Sequence, residues 1–112
     1  MKYQQVQQLL CQLERELKAI DLWQSTPPPT QALYSNQPFA VDTLAFHQWV
    51  QFIMIPRMQA LIAQGQPLPQ QMAVSPMAVQ VYKGQLKQHR QLIACLREID
   101  RAVTGRDPMQ AS

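Results

Sequence analysis

Residues 44–62 read LAFHQWVQFIMIPRMQALI, and the apolar side chains of this segment recur on every side of a helical axis. A helix that is apolar all round belongs in the middle of a bundle, because each of its faces needs a packing partner. Asp42 is expected to be its N-cap, and Val41 and Phe46 have the spacing of a hydrophobic staple. The pattern predicts a central helix over residues 42–64, which ends at a glycine followed by prolines.

Pro56 lies inside this predicted helix. Because proline lacks a backbone N–H and crowds the carbonyl of Phe52 four residues earlier, a kink is expected at this point. The alternative is two helices that meet at Pro56. The kink is favoured because the apolar spacing continues on both sides of the proline.

Three more helices are expected around the central one. The first covers about residues 2–21, where the apolar residues fall on one narrow stripe. The third covers residues 76–82, with Ser75 as its N-cap and a proline at its first position. The last covers residues 85–103, although one long helix that bends at the preceding glycine is the alternative. The fold class is therefore all-α, a compact array of four helices around a central apolar helix kinked at a proline.

The chain of 112 residues is expected to form a single helical domain over residues 1–104. A long proline-rich loop, residues 22–41, connects the first two helices, and its Pro27-Pro28-Pro29 run excludes helix. Residues 105–112 follow the last helix and are expected to be a flexible tail.

Composition limits the classes of function. The formal charge of +3 and the 15% share of charged residues are far below those of a dedicated nucleic-acid-binding protein. The N-terminal residues lack the apolar core of a signal peptide, and the longest apolar run, Phe52–Ile55, is too short to cross a bilayer. With two cysteines and no secretory features, the chain is expected to be cytoplasmic with reduced thiols and to have no membrane partner.

Residue types that carry chemistry are sparse. His47, His89, Cys11 and Cys95 stand alone, without the paired spacing of a metal site. The seven acidic residues include no pair placed to perturb each other as catalytic carboxylates do. We therefore expect no catalytic residues, no metal and no cofactor, and a protein that is not an enzyme.

Aromatic residues around the central helix are the first candidate binding site. Trp23, Phe39, Trp49 and Arg57 belong to residue types that are enriched where proteins bind proteins, and several methionines lie nearby. The alternative is that the aromatic side chains belong to the core.

A basic ridge is the second candidate. On a continuous last helix, five basic residues would line up opposite the buried stripe and could contact RNA or an acidic protein: Lys83, Lys87, Arg90, Arg97 and Arg101. The alternative is an ordinary polar helix face, in which Glu98 and Asp100 pair with Arg101 and Arg97.

Several strings within residues 9–99 resemble the YqcC-like family of small bacterial proteins. They are SNQPF at 35–39, DTL at 42–44, QWVQF at 48–52, IPRM at 55–58, PLP at 67–69 and SPM at 75–77. The resemblance implies a compact helical array in the bacterial cytosol. It also implies an association with tRNA pseudouridine synthase C, whose name some members carry.

Together, these patterns favour a non-enzymatic accessory or protein-interaction module, associated with a tRNA pseudouridine synthase. The alternative is a helper that binds RNA or tRNA directly through the basic ridge. A helix that is apolar all round can also be shared between two chains, so a homodimer is the remaining option.

Overall fold

The computed structural model describes residues 2–109, and this part of the chain consists of helices and turns without a strand. The all-α prediction is confirmed. The helices are α1 (Lys2–Ala19), α2 (Phe46–Trp49), α3 (Ile55–Ala63), α4 (Val74–Val81) and α5 (Arg90–Thr104). A π-helical turn covers Val50–Met54, and short 3-10 turns cover Thr30–Leu33 and Pro38–Ala40.

Most of the large side chains that are fully buried belong to α1 and α5. Both helices have a one-sided apolar stripe, so packing stripe against stripe hides each from water. Burying one leucine in this way contributes about 1.5–3 kcal/mol. The side chains at this interface are between 0% and 2% exposed: Val6, Leu10, Leu13, Leu17, Leu92, Leu96, Ile99 and Val103.

The central helix is continuous over residues 46–63, and it accommodates Pro56 with the π-helical turn rather than with a break. Within this turn the N–H of Ile55 donates to the carbonyl of Val50, five residues earlier. The wider turn suits a proline because the proline lacks the N–H of the next helical hydrogen bond. The expected distortion is present, and two separate helices do not form.

One side of the central helix meets solvent, which the all-round apolar pattern does not predict. Val50, Met54 and Met58 are buried, whereas Arg57 and Gln59 on the following turn are exposed. The remaining large apolar residues of the helix are buried or half-buried. The helix therefore presents one face to the core and another to water.

The predicted N-cap at Asp42 is wrong. Residues 41–44 form turns, and the helix begins at Phe46 with Ala45 as its N-cap. The exposed Asp42 carboxylate accepts a hydrogen bond from the Ser35 hydroxyl. Gln48 and not Asp42 provides the side-chain acceptor at the helix start, because its side-chain oxygen accepts a hydrogen bond from the Ala45 N–H over 2.8 Å.

Ser75 is not an N-cap either, because α4 already begins at Val74. The carboxylate of Asp100, on α5, takes over the capping role. Its Oδ1 accepts from the Val74 N–H over 3.0 Å, and its Oδ2 accepts from the N–H and the hydroxyl of Ser75 over 2.9 and 2.7 Å. Asp100 is 0% exposed, so its expected pairing with Arg97 is also wrong.

The last helix begins at Arg90, five residues later than the predicted start at residue 85. Residues 82–89 form turns, with Gly84 in the left-handed region at φ 89°, so the single bent helix is excluded as well. The imidazole of His89 stacks on the Tyr82 ring with centroids 3.8 Å apart. Its Nδ1 lies 2.8 Å from the Gln85 carbonyl oxygen, so the turn is held by contacts within itself.

Residues 105–109 belong to the predicted flexible tail, and Asp107 among them contacts α5. A guanidinium nitrogen of Arg97 lies 2.6 Å from Oδ2 of Asp107, and the Asp107 side chain is 12% exposed. Oδ1 of Asp107 accepts from the Met109 N–H over 3.0 Å. The rest of the predicted tail, residues 110–112, lies outside the described residues.

Candidate interaction surfaces

Phe39, Phe46 and Trp49 form one aromatic cluster beside the start of the central helix. Phe39 meets Trp49 edge-on with ring centroids 4.8 Å apart, and Phe46 stacks on Trp49 at 6.3 Å. Phe46 is buried, while Phe39 and Trp49 are half-buried. The structure therefore brings together two of the four residues predicted for partner binding, at the border between core and surface.

The other two residues of that prediction are not part of the ring contacts that define the cluster. Trp23 is half-buried, and the Lys18 ammonium lies 5.4 Å from the centroid of its ring. Arg57 is exposed on α3, and among residues 2–109 it forms no ion pair.

An open apolar cleft adjoins the aromatic cluster, between residues 38–46 and α4. It encloses about 200 Å³. Val41 and Val81 line it while remaining 55% and 43% exposed. We call it the valine cleft, and its lining residues are Phe39, Val41, Leu44, Phe46, Met77 and Val81.

The backbone at one wall of the valine cleft is strained. Phe39 and Ala40 both occupy the left-handed region, with φ of 57° and 50°. Each such non-glycine residue costs about 1–2 kcal/mol, and strain of this kind concentrates at binding sites. The carbonyl of Ala40 accepts hydrogen bonds from the N–H groups of Thr43 and Leu44 over 3.0 and 2.8 Å, which holds the wall in place.

The predicted basic ridge on a continuous helix is wrong. Lys83 and Lys87 lie in the turns before α5, because the helix starts only at Arg90. Arg90, Arg97 and Arg101 do line one depression of about 370 Å³ on α5. Two of these arginines face acidic groups: Arg97 pairs with Asp107, and Arg101 lies 3.9 Å from Glu98.

A second open groove lies next to this depression, between α4, the turns at 82–89 and α5. It encloses about 510 Å³ and combines an apolar floor with two cations. Leu86 and Met109, which line it, are 44% and 37% exposed. We call it the basic groove, and its lining residues are Val79, Leu86, Lys87, Arg90, Ile93 and Met109.

Sequence reasoning missed that Leu86 and Met109 line one groove. The sequence predicts Leu86 inside a helix and Met109 in a flexible tail, and neither position indicates a shared groove. An apolar residue flanked by polar ones, as in Gln85-Leu86-Lys87, was the signal available for an exposed leucine.

Burial shifts the pKa values of several groups in the core. It raises the pKa of the Cys95 thiol to about 12, with Glu16 and Glu98 acting in the same direction. It raises the pKa of Tyr82 to about 12 and lowers that of His47, although a backbone hydrogen bond to Leu22 opposes the shift of His47. These groups are therefore held in their uncharged forms at neutral pH.

Two kinds of feature are not found in the described part of the chain. Within residues 2–109, no three His, Cys, Asp or Glu side chains are grouped so that they could hold a metal ion. No helix in the same range has the length and apolar character needed to cross a membrane.

Comparison with known proteins identifies the family. The model of the DUF446 family, described as "tRNA pseudouridine synthase C", matches residues 5–102. The chain belongs to this family. The solution NMR structure of the protein YqcC from E. coli has the same fold, with a TM-score of 0.83 and 29% sequence identity. It is matched over 99% of this chain and 94% of that one, so the resemblance to YqcC-like proteins is confirmed.

Three relatives in this family illustrate its range. An uncharacterised protein of Haemophilus influenzae is 43% identical over 72 residues, 64% of this chain and 68% of that protein. YqcC of Escherichia coli is 39% identical over 64 residues, 57% of this chain and 59% of that protein. A Pectobacterium carotovorum protein named tRNA pseudouridine synthase C is 35% identical over 86 residues, 77% of this chain but 23% of that protein.

Proposed function

We propose that this chain is a non-enzymatic protein-interaction module that works beside a tRNA pseudouridine synthase. The observation that carries the proposal is the Pectobacterium relative, in which the matched segment is 23% of a longer protein named for that enzyme. We infer that the matched segment is joined to the enzyme in that relative, and that in other organisms a separate chain of the family binds the enzyme. We assign the enzymatic activity of that relative to the part of that protein outside the match.

The valine cleft is the surface that we assign to the enzyme. Interfaces favour apolar and aromatic side chains at their centre, and the cleft offers exposed valines beside the Phe39–Trp49 pair. Strain at Phe39 and Ala40 is consistent with a wall whose shape serves binding rather than stability. Cytosolic residence belongs to the same proposal, and both cysteines are free thiols in the structure.

The experiment measures binding of the purified chain to the separately purified tRNA pseudouridine synthase C of the same organism, by isothermal titration calorimetry. We expect a complex that Val81→Asp weakens by about tenfold or more, because the new carboxylate would lose its water on binding. Failure of the wild-type chain to bind at high micromolar concentration would overturn the proposal.

Leu86→Asp is the matched control, because Leu86 is 44% exposed compared with 43% for Val81 and lies outside the valine cleft. It introduces the same carboxylate at an equally accessible position, so it should leave the affinity unchanged. Equal weakening by both substitutions would show that the valine cleft is not the interface. Circular dichroism of each variant checks that the helices persist.

Direct RNA binding, the alternative from the sequence, receives no specific support from the geometry. The ridge that motivated it required Lys83 and Lys87 on the same helix as the arginines, and they lie in turns. Arg97 is engaged with Asp107. We therefore propose protein binding as the function and use RNA as a competing outcome in the experiments below.

A further inference from the structure

We propose that the basic groove binds an acidic amphipathic helix of a partner protein, with apolar side chains on the floor of the groove and carboxylates at its rim. This inference goes beyond the proposed function, because the basic groove and the valine cleft share no lining residue. Val79 and Val81 are two positions apart on α4 and line the basic groove and the valine cleft, respectively.

The floor of the basic groove suits apolar side chains at helical spacing. Val79 and Ile93 are half-buried there, and Leu86 and Met109 stand at its edges with more than a third of their surface exposed. A volume of about 510 Å³ accommodates several side chains of a docked helix. The flexible thioether of Met109 can adapt to their shape.

The charge at the rim selects an acidic occupant. Lys87 and Arg90 line the groove, and among residues 2–109 neither forms an ion pair. The adjoining depression adds Arg97 and Arg101, each next to one acidic residue. Carboxylates of a partner placed along this rim would meet a positive field with two uncompensated cations, which favours association and fixes its orientation.

A second copy of this chain is a poor occupant. Each copy carries a formal charge of +3, so bringing basic surfaces together is opposed by repulsion. Several acidic residues are already committed: Glu14 to Lys18, Asp100 to the start of α4, and Asp107 to Arg97. The net repulsion and the engaged carboxylates favour an acidic face that comes from a different protein.

RNA fits the groove less well than an acidic helix. The six residues that line it include no aromatic ring on which a base could stack. Four of the six are apolar and offer nothing to a phosphate backbone. The observations favour a protein segment, and RNA becomes an outcome of the test.

The test uses the full chain and two synthetic peptides with the same leucine positions at helical spacing. One peptide has glutamate at the remaining positions and the other has lysine. Backbone NMR titration is expected to show saturable shifts centred on Val79, Ile93 and Met109 with the glutamate peptide only. Lys87→Glu combined with Arg90→Glu should weaken binding by about tenfold or more, since two attractions become repulsions.

Two substitutions serve as matched controls. Arg57→Glu reverses an exposed arginine outside the groove and should leave the affinity unchanged, which separates local attraction from net charge. Leu86→Asp should weaken binding of the glutamate peptide, whereas Val81→Asp should not. For binding to the synthase the opposite result is expected from each substitution.

Three results would overturn the inference. These are an absence of shifts at saturating glutamate peptide, equal binding of the lysine peptide, and shifts of the groove residues by tRNA but not by the glutamate peptide. Because the peptide experiment contains no synthase, its failure leaves the synthase result unaffected, and failure of the synthase to bind leaves the peptide result unaffected.

Discussion

The carboxylate of Asp100 accepts hydrogen bonds from both the backbone N–H and the hydroxyl of Ser75, 25 residues earlier in the chain. Both residues are 0% exposed. A helix start has N–H groups without partners, and a buried start must find acceptors within the protein. This pair therefore fastens α4 to α5 while completing the first turn of α4.

We expect Ser75→Ala to lower the free energy of unfolding by about 1–2 kcal/mol, because it removes one charge-assisted hydrogen bond. Asp100→Ala should cost about 3 kcal/mol or more, because it leaves two backbone donors and a hydroxyl buried without acceptors. The double variant should lose less unfolding free energy than the sum of the two single losses, because both substitutions remove the same interaction. Urea unfolding followed by circular dichroism measures all three.

Asp42→Ala is the control for this prediction. Asp42 is exposed and bonds only to the Ser35 hydroxyl among the described hydrogen bonds, so its loss should cost about 0.5 kcal/mol or less. A loss as large as that of Asp100→Ala would contradict the assignment of the capping role to Asp100.

The pH dependence of stability should carry the signature of Asp100. Burial raises the pKa of Asp100 above its ordinary value of 3.8, although hydrogen bonds from Ser75 and Val74 oppose the shift. The folded protein thus holds this proton more tightly than the unfolded chain. The resulting contribution to stability is fully present below pH 3.8 and is lost as the pH rises through the raised pKa.

Asp100→Asn should remove this loss of stability with rising pH, because asparagine does not titrate. The measurement is the difference in unfolding free energy between wild type and Asp100→Asn from about pH 4 to about pH 7. Asp107 affects stability in a different pH range. Its hydrogen bond to Arg97 lowers its pKa, so its contribution to stability is lost as the pH falls below 3.8. A difference that does not change between pH 4 and pH 7 would show that burial does not shift Asp100 in this direction.

Asp21 lies two residues after the end of α1, and its backbone is in the left-handed region, with φ of 60°. The Leu22 N–H donates to the Leu17 carbonyl over 2.9 Å and the Asp21 N–H to the Lys18 carbonyl over 3.2 Å, which is the Schellman pattern. Glycine is the residue that adopts this conformation without strain. We expect Asp21→Gly to raise the free energy of unfolding by about 0.5–1 kcal/mol, as measured by urea unfolding.

Gly65 supplies the reciprocal test at the end of α3. It has φ of 66° and the same pair of hydrogen bonds, and a Cβ added there would meet nothing within 4 Å. Gly65→Ala should therefore cost about 1 kcal/mol through the backbone alone. If both substitutions change stability in the same direction, the left-handed caps do not control these helix ends.

The two cysteines should differ sharply in reactivity. Cys95 is buried with a pKa of about 12, so roughly one thiol in ten thousand is ionised at pH 8. Cys11 is exposed on α1. Iodoacetamide should therefore label the Cys95→Ser variant readily and the Cys11→Ser variant only as fast as the fold opens, as followed by mass spectrometry. Rapid labelling of the folded Cys11→Ser variant would contradict the buried position.

The helical fold could be predicted from the sequence because helical periodicity is a local property. The stripe from Val6 to Leu17 indicates α1, and the stripe from Leu92 to Val103 indicates α5, whatever these helices pack against. The family strings around Trp49 and Pro56 are likewise contiguous in the chain. The aromatic cluster was partly predictable, because Phe46 and Trp49 lie on one helix and Phe39 is close in sequence.

The capping of α4 and both surfaces were decided by the tertiary structure. Local spacing predicts an ion pair between Asp100 and a neighbouring arginine, but burial of this helix face against α4 places the carboxylate on the N–H groups of Val74 and Ser75. The basic groove joins Val79, Leu86, Ile93 and Met109, whose meeting depends on how the turns at 82–89 redirect the chain. Local patterns specify which residues share a helix face, whereas contacts between distant segments follow from the packing of all the helices at once.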